Sequence, residues 1–407
     1  MGHGAHGSSR FGSGDRRACA SPDCYLRAVR SASVLAIVLL LTPALAEAQH
    51  GSGGWRELAD PERRIGLLYK QDGLARLIEG LGGSALSPEL GDPPAHLLLD
   101  QALIRFERAR RRLPNDPELA YFIAMALTRY ERPASDGGVE HRIDEAVAAW
   151  ERVRAIDPSF HADRVAFELA ALHMRRHEFQ EARAEYEVAL RHAVPRSLDL
   201  MNRFYVASPL DERVAALVSP LEPRSIYGNL AEAAMLTGDL ASAARYYRTA
   251  ADDPTDPVSR CLALWGLALA ADRSGAHDEA LAHAARALHE DPVPAVALAS
   301  WQRVSRDHGA FAVLHLDFVF FEPRYEIHAY EALGHEALAR PAEGGVDVGE
   351  LRLALEKWRH FLDEGGSASR WASRARRHVE RLEAQIASAE ARPARRGSMR
   401  GTLPRSR

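Results

Sequence analysis

Between Pro61 and about Ala389, apolar residues return every three or four positions, with charged and polar residues filling the gaps. That period puts the apolar residues on one face of a helix. Short runs rich in glycine and proline cut the region into a series of such segments. Alanine, leucine, arginine and glutamate dominate and β-branched residues are sparse, which favours helix over strand. One stretch is less one-sided: Phe311–Phe321 alternates weakly, so a strand competes with a helix there.

A longer period, of about 34 residues, overlies the helical one. In residues 261–294, Leu267-Ala268 lies in one segment and Gly275 marks a turn. Ala280 and Ala287 share a face of the next segment, and Pro292 ends it. In residues 224–257 the same offsets hold Leu230-Ala231, Gly238, Ala243, Tyr247 and Ala250. In residues 163–194 they hold Leu169-Ala170, Ala182, Tyr186 and Ala189, with His177 in the glycine's place. The fragments GDLASAARYYRTA, GAHDEALAHAARA and HEFQEARAEYEVA align without gaps. Two antiparallel helices approach closely only where facing side chains are small. Ala243 and Ala250, seven apart, share one helix face with Tyr247. The tyrosine then fills the space between units, and Gly238 supplies the tight turn.

These residues resemble the tetratricopeptide repeat: a tryptophan-like residue, Leu-Gly three on, a turn glycine, then alanine, aromatic, alanine and proline. The resemblance covers roughly residues 96–365. Ala102, Phe106, Ala109 and Pro114 fit a second helix of an N-terminal unit. Ala120, Ile123-Ala124, Ala146, Trp150, Val153 and Pro158 fit a unit stretched at its turn by the loop Pro133–Gly138. Tyr330, Leu333-Gly334, Ala354 and Trp358 fit another, stretched through Pro341–Gly345. Residues 295–326 form a degenerate unit, with Gly309 at the turn and Phe318 at the aromatic offset. The implied fold is all-α: a right-handed α-solenoid of stacked antiparallel helix pairs. Its parts are N-terminal repeats over 61–196, an irregular helical insert or hinge at 197–223, C-terminal repeats over 224–365 and a capping helix at 366–390.

The ends differ in composition. Arg27 and Arg30 precede the apolar run Val34–Leu41, Pro43 breaks it, and small-x-small sites follow at Ala44–Ala46 and Ala46–Ala48. Residues 1–48 thus read as a secretory signal peptide with a long basic region, and 49–60 as a linker. The run is about half of the roughly 20 residues a membrane span needs, so membrane contact arises only if it stays uncleaved. Cys19 and Cys24 precede the cut, leaving Cys261 as a small buried residue. The tail 391–407 has six arginines and no acid and reads as disordered. The formal charge of −4 offers no general attraction to nucleic acid. Only Lys70 and Lys357 are lysines, a bias that reads as base composition in a bacterial genome.

The resemblance implies a concave wall built from first helices. Phe167, Ala171, Met174, Glu232, Met235, Trp265, Leu269 and Asp272 occupy its exposed offsets and suit an apolar or amphipathic protein segment. The same residues would equally serve to pack against the chain's own 197–223 segment or closing helix. The lysines and asparagines with which some family members clamp a carboxylate are absent from these offsets. Histidines make no metal signature. His173 and His177 are four apart, but His177 falls at a turn and no HExxH motif is present. His277, His283 and His289 are spaced by six and read as solvated, whereas His328 and His335 share a face and read as core or interface residues. No nucleophile elbow or phosphate loop occurs. The expectation is a non-catalytic scaffold of the bacterial cell envelope, exported to the periplasm or beyond, binding another protein in its groove. No cofactor, metal or nucleic acid is expected. Two alternatives stay open: an inner-membrane-anchored accessory of envelope assembly or secretion, and a metal-binding or enzymatic protein using the histidine-rich second half.

Overall fold

The computed structural model describes residues 60–83, 94–134, 138–194, 220–253, 256–292, 309–316, 319, 321–340 and 345–391. The signal segment, nearly all of the linker, most of the 197–223 insert and the arginine tail beyond 391 lie outside them. The chain divides into two compact units, Met1–Leu68 and Tyr69–Arg407. Of the first unit only Asp60–Leu68 is described, as the start of a helix.

The helices are α1 (Pro61–Gly83), α2 (Ala95–Arg110), α3 (Pro117–Thr128), α4 (Ile143–Ile156), α5 (Ala162–Arg175) and α6 (Phe179–His192). They continue as α7 (Arg224–Thr237), α8 (Leu240–Ala251), α9 (Pro257–Ser274), α10 (His277–His289), α11 (Ile327–Leu338), α12 (Val348–Asp363) and α13 (Ala372–Ala391). The fold is all-α and tetratricopeptide-like: α3/α4, α5/α6, α7/α8, α9/α10 and α11/α12 pack as antiparallel pairs, each against the next. α13 closes the row against α12.

Local chemistry sets the boundaries. Asp116, Asp239, Asp256 and Asp347 cap the starts of α3, α8, α9 and α12 by accepting backbone N–H groups that have no partner within the helix. Gly238 and Gly275 end α7 and α9 with φ of 90° and 95°, the left-handed conformation that glycine takes without strain. His177 stands at the equivalent turn and is held at φ 58°.

The repeat residues form the interior. Leu169, Ala182, Tyr186, Ala189, Leu230, Ala243, Tyr247, Ala250, Leu267, Ala280 and Ala287 are all buried, while Pro292 is half-buried after α10. Gly266 admits the Tyr247 ring, since a Cβ there would lie 2.3 Å from it. The two stretched units share a device. Trp150 donates its indole N–H to Thr128 (2.9 Å) and Trp358 donates to Glu336 (2.8 Å), each partner lying 22 residues earlier on the pair's first helix. Cys261 is buried, its thiol donating to the Ala287 carbonyl at 3.3 Å.

Two local expectations change. The turn expected as a plain loop at 133–138 is flanked by an antiparallel hairpin, β1 (Glu131–Pro133) and β2 (Val139–His141). An Arg132–Glu140 ion pair crosses its exposed face. Residues Gly309–His315 form a 3-10 helix, not a strand. Phe311, Ala312, Val313 and Leu314 are buried in succession, which an alternating strand with one solvated face would not allow.

Candidate functional site

A cavity of about 540 Å³ lies against α7 and α9, first helices of successive pairs. Glu232 from α7 and Trp265 from α9 belong to its wall, joined by Tyr247 from α8, Tyr330 from α11, and Leu314 and Phe321 from the segments between α10 and α11. Ser225 and Ser259 also border it and are exposed, so the cavity reaches solvent. Gly228 lies on the same border, and a Cβ there would meet nothing within 4 Å.

Helix periodicity accounts for the wall. Gly228 and Glu232 are one turn apart on α7, as are Ser225 and Gly228. Trp265 is turned toward α11, where Gly334 leaves room for both its ring and that of Phe311. The Trp265 and Phe311 centroids lie 6.0 Å apart. The Trp265 indole N–H is buried without a hydrogen-bond partner among the described residues.

Glu232 has no hydrogen-bond or salt-bridge partner among the described residues. Burial, reinforced by the charges of Glu326 and Glu322, pushes its carboxyl up to about 8, with Arg273 acting the other way. Arg273 is itself bound to Glu326, both side chains 2% exposed, and its guanidinium stands 4.9 Å from the Trp371 ring. Burial also raises the Tyr247 and Tyr330 hydroxyls, and the charge of Glu232 adds to both.

Only part of the expected groove wall is accessible. Phe167, Ala171 and Glu232 are half-buried. Met174, Met235, Trp265, Leu269 and Asp272 are buried, which corrects their placement as exposed groove residues. Met174 sits in a cluster with Tyr186, Leu221 and Ile226. Met235, Trp265 and Leu269 belong to the core that Phe311–Leu314 helps to close. Residues Phe311–Leu314 cover part of the face that a regular repeat would leave open. Trp265 nonetheless borders the cavity, so Glu232 and Trp265 are the two expected groove residues that the structure brings together there.

Asp272 belongs to a different centre. Arg374 donates to both its oxygens (2.6 and 3.1 Å), and His378 Nε2 lies 3.0 Å from it. His378 Nδ1 faces Glu336 Oε1 at 2.8 Å, and its ring stacks on Trp358 at 4.3 Å. His277 reaches Asp272 and Glu336 at 3.3 Å each, and Arg381 pairs with Glu336. His277 is therefore part of a half-buried cluster, correcting its reading as solvated. Hydrogen bonds from His277 and His378 overcome burial and hold the Asp272 and Glu336 carboxyls well below the usual range. Asp272, His277 and His378 have ligand atoms within 4.8 Å of one another, a spacing a metal ion could use. The Asp272 oxygens already bind the Arg374 guanidinium, and Arg381 stands against Glu336 beside them, so the chemistry fits a charge clasp that fastens α13 better than it fits a cation site. His328 and His335 are half-buried and pair with Glu331 and Glu350.

Sequence periodicity could not reveal Arg273–Glu326 or the clasp contacts between α13 and other helices, whose partners lie 42 to 106 residues apart. Phe321 was visible only as the end of an alternating run and Tyr330 only as a repeat position, neither as a cavity wall.

No family model matches the chain, and no curated protein matches it. Among solved structures, one of MamA is 15% identical, covering 58% of this chain and 97% of its own, with a TM-score of 0.37. A second MamA structure is 16% identical over 48% of this chain and 91% of its own, with a TM-score of 0.34. The TPR domain of P58(IPK) is 12% identical over 79% of this chain and 99% of its own, with a TM-score of 0.22. Likenesses this distant carry no argument about activity. No helix among the described residues is long and apolar enough to cross a membrane.

Proposed function

We propose that this chain is a non-catalytic protein-binding scaffold, exported to the bacterial envelope, whose working site is the cavity bordered by α7 and α9. The observation that carries the reading is that cavity. It is apolar and aromatic on several sides, reaches solvent, and lies on first helices, the elements expected to face a partner. Its inner wall includes the buried core residues Tyr247, Ala250, Ala263, Trp265, Leu314 and Tyr330, so capturing a partner segment would cost that part of the scaffold little ordering. Export rests on the basic-apolar-small pattern of residues 27–48.

The test uses the full chain as bait for envelope proteins, compared with Gly228→Phe, which fills the cavity's border, and Leu262→Asp, which adds charge to its half-buried wall. Both variants should keep the helical circular dichroism of the parent and lose the same partner. Partners retained by both variants would remove the cavity from the function. A membrane-anchored accessory is the second reading, favoured by the apolar run Val34–Leu41. N-terminal sequencing of the mature protein separates the two: a start near Glu47 or Gln49 means cleavage and release.

A further inference from the structure

The cavity's charge and aromatic content point to a specific occupant. Two carboxyl groups, Glu326 and Glu322, act on Glu232 against one guanidinium, Arg273, while Glu322 itself is offset by Arg175, His177 and His141. Arg273 gives one nitrogen to Glu326 and keeps two without a partner among the described residues, and Arg224, at the cavity's edge, pairs with Glu222 and Asp253. Asp256 adds a further acid to the border. The surplus is negative, and Glu232 is the member without a partner. Tyr247, Trp265, Phe321 and Tyr330 surround the same space. Aromatic faces attract a cation through their negative quadrupoles, most strongly where water is excluded.

We propose that this cavity takes the side chain of a lysine presented by a partner protein, with Glu232 as counter-ion to the ammonium and the aromatic walls around its alkyl stem. The inference rests on the scaffold reading above. An ammonium is a compact charge on a flexible apolar stem, matching a cavity with one free acid and apolar sides. A self-supplied lysine is excluded: Lys70 is held by Asp116 and Glu118, and Lys357 by Glu331. The charged and titratable groups acting on Glu232 are Arg273 of α9 and Glu322 and Glu326 before α11. Its own charge is felt by Tyr186 of α6, Tyr247 of α8 and Tyr330 of α11. With Glu232 pushed up to about 8, the empty site holds a proton at neutral pH that an entering cation would displace.

The experiment titrates the full chain with n-butylammonium, a lysine side-chain mimic, and with 1-butanol as its uncharged counterpart. Calorimetry in two buffers of different ionisation enthalpy counts protons at pH 7 and pH 9.5. The amine should bind in roughly the millimolar range expected of five heavy atoms. It should release about 0.9 proton at pH 7 and almost none at pH 9.5. Glu232→Gln should weaken binding at least about tenfold and abolish the release, and Gly228→Phe should remove binding altogether. Butanol binding as well as the amine, an unchanged Glu232→Gln, or no heat up to about 50 mM amine would each overturn the proposal. Partner capture separates this inference from the scaffold reading. Capture lost in Gly228→Phe but intact in Glu232→Gln leaves the scaffold and removes the lysine. Amine binding with capture unaffected by Gly228→Phe assigns the site to a free amine, which overturns a partner source.

Discussion

Replacing Glu232 by glutamine should stabilise the protein, increasingly so as pH rises from about 4.5 to about 8. The folded chain raises this carboxyl from 4.5 to about 8, so it holds the proton more tightly than the unfolded chain does. Stability therefore falls as pH climbs from about 4.5 to about 8, and the penalty is fully expressed beyond that window. At 1.36 kcal/mol per pH unit the ceiling is roughly 5 kcal/mol. Glu232 is half-buried, so water relaxes part of the charge, and about 2–4 kcal/mol is the expected size. Glutamine keeps the shape and cannot ionise. Urea titrations followed by circular dichroism should give nearly coincident midpoints for parent and Glu232→Gln at pH 4, below the unfolded carboxyl's range, and a clear separation at pH 9. Other titrating groups are common to both proteins and cancel in the comparison. Repeat arrays do not always melt in one step, so hydrogen exchange across α7 should accompany the titration. An equal difference at both pH values, or a parent more stable than the variant at pH 9, would refute the reasoning.

Further outcomes follow from the same structure. Asp272→Asn leaves Arg374 without its buried counter-charge and His378 with only Glu336, and should cost about 3–5 kcal/mol, seen as lost hydrogen-exchange protection over Ala372–Ala391; unchanged protection there would count against the clasp. Docking of α13 should be tightest between roughly pH 4.5 and 6.5. The depressed Asp272 and Glu336 lose their contribution as pH falls below that range. His277, which burial lowers but bonds to Asp272 and Glu336 raise on balance, loses its contribution as pH rises through its folded value. Limited proteolysis of the C-terminal helix across pH should show a minimum in that window, and a flat profile would contradict it. Gly266→Ala pushes a methyl into the Tyr247 ring and should destabilise by about 1–3 kcal/mol, with Tyr247→Leu in the same chain recovering part of the loss.

The helix pairs were legible because their signal is local and repeated. Ala243, Tyr247 and Ala250 must lie on one face to pack, and the offset recurs wherever a pair packs the same way. The αL turn at His177 was legible too, since it falls where other units place glycine. The groove was legible only in part, because the exposed offsets of a first helix stay exposed only if nothing lies over them. Residues Phe311–Leu314 lie over part of this wall, and no periodic feature of α9 announces that. Trp265 and Leu269 therefore looked like ligand contacts while serving as core. Asp272 and His277 looked like surface charges because their partners stand on α11 and α13. The hairpin at 131–141 was hidden for a related reason: its register depends on cross-strand pairing, not on alternation along three-residue strands.

The two polar centres of the C-terminal half follow opposite logic, and the contrast bears on function. In the clasp, Asp272 and Glu336 are met by two arginines and two histidines, with short bonds at several atoms. Burial there is compensated from within, and the result is to fasten a helix. At the cavity, Glu232 is hemmed in by further acids, and Arg273, the guanidinium acting on it, is held by Glu326. A chain able to build the first arrangement could have neutralised Glu232 with a second arginine or replaced it by leucine, at a gain in stability. Retaining an acid where it destabilises the folded state is what a site requires when its counter-charge arrives with a partner. The same physics that makes Glu232→Gln a stabilising change at high pH would make it a damaging one for recognition, and measuring both on one variant ties the energetic cost to the work it supports.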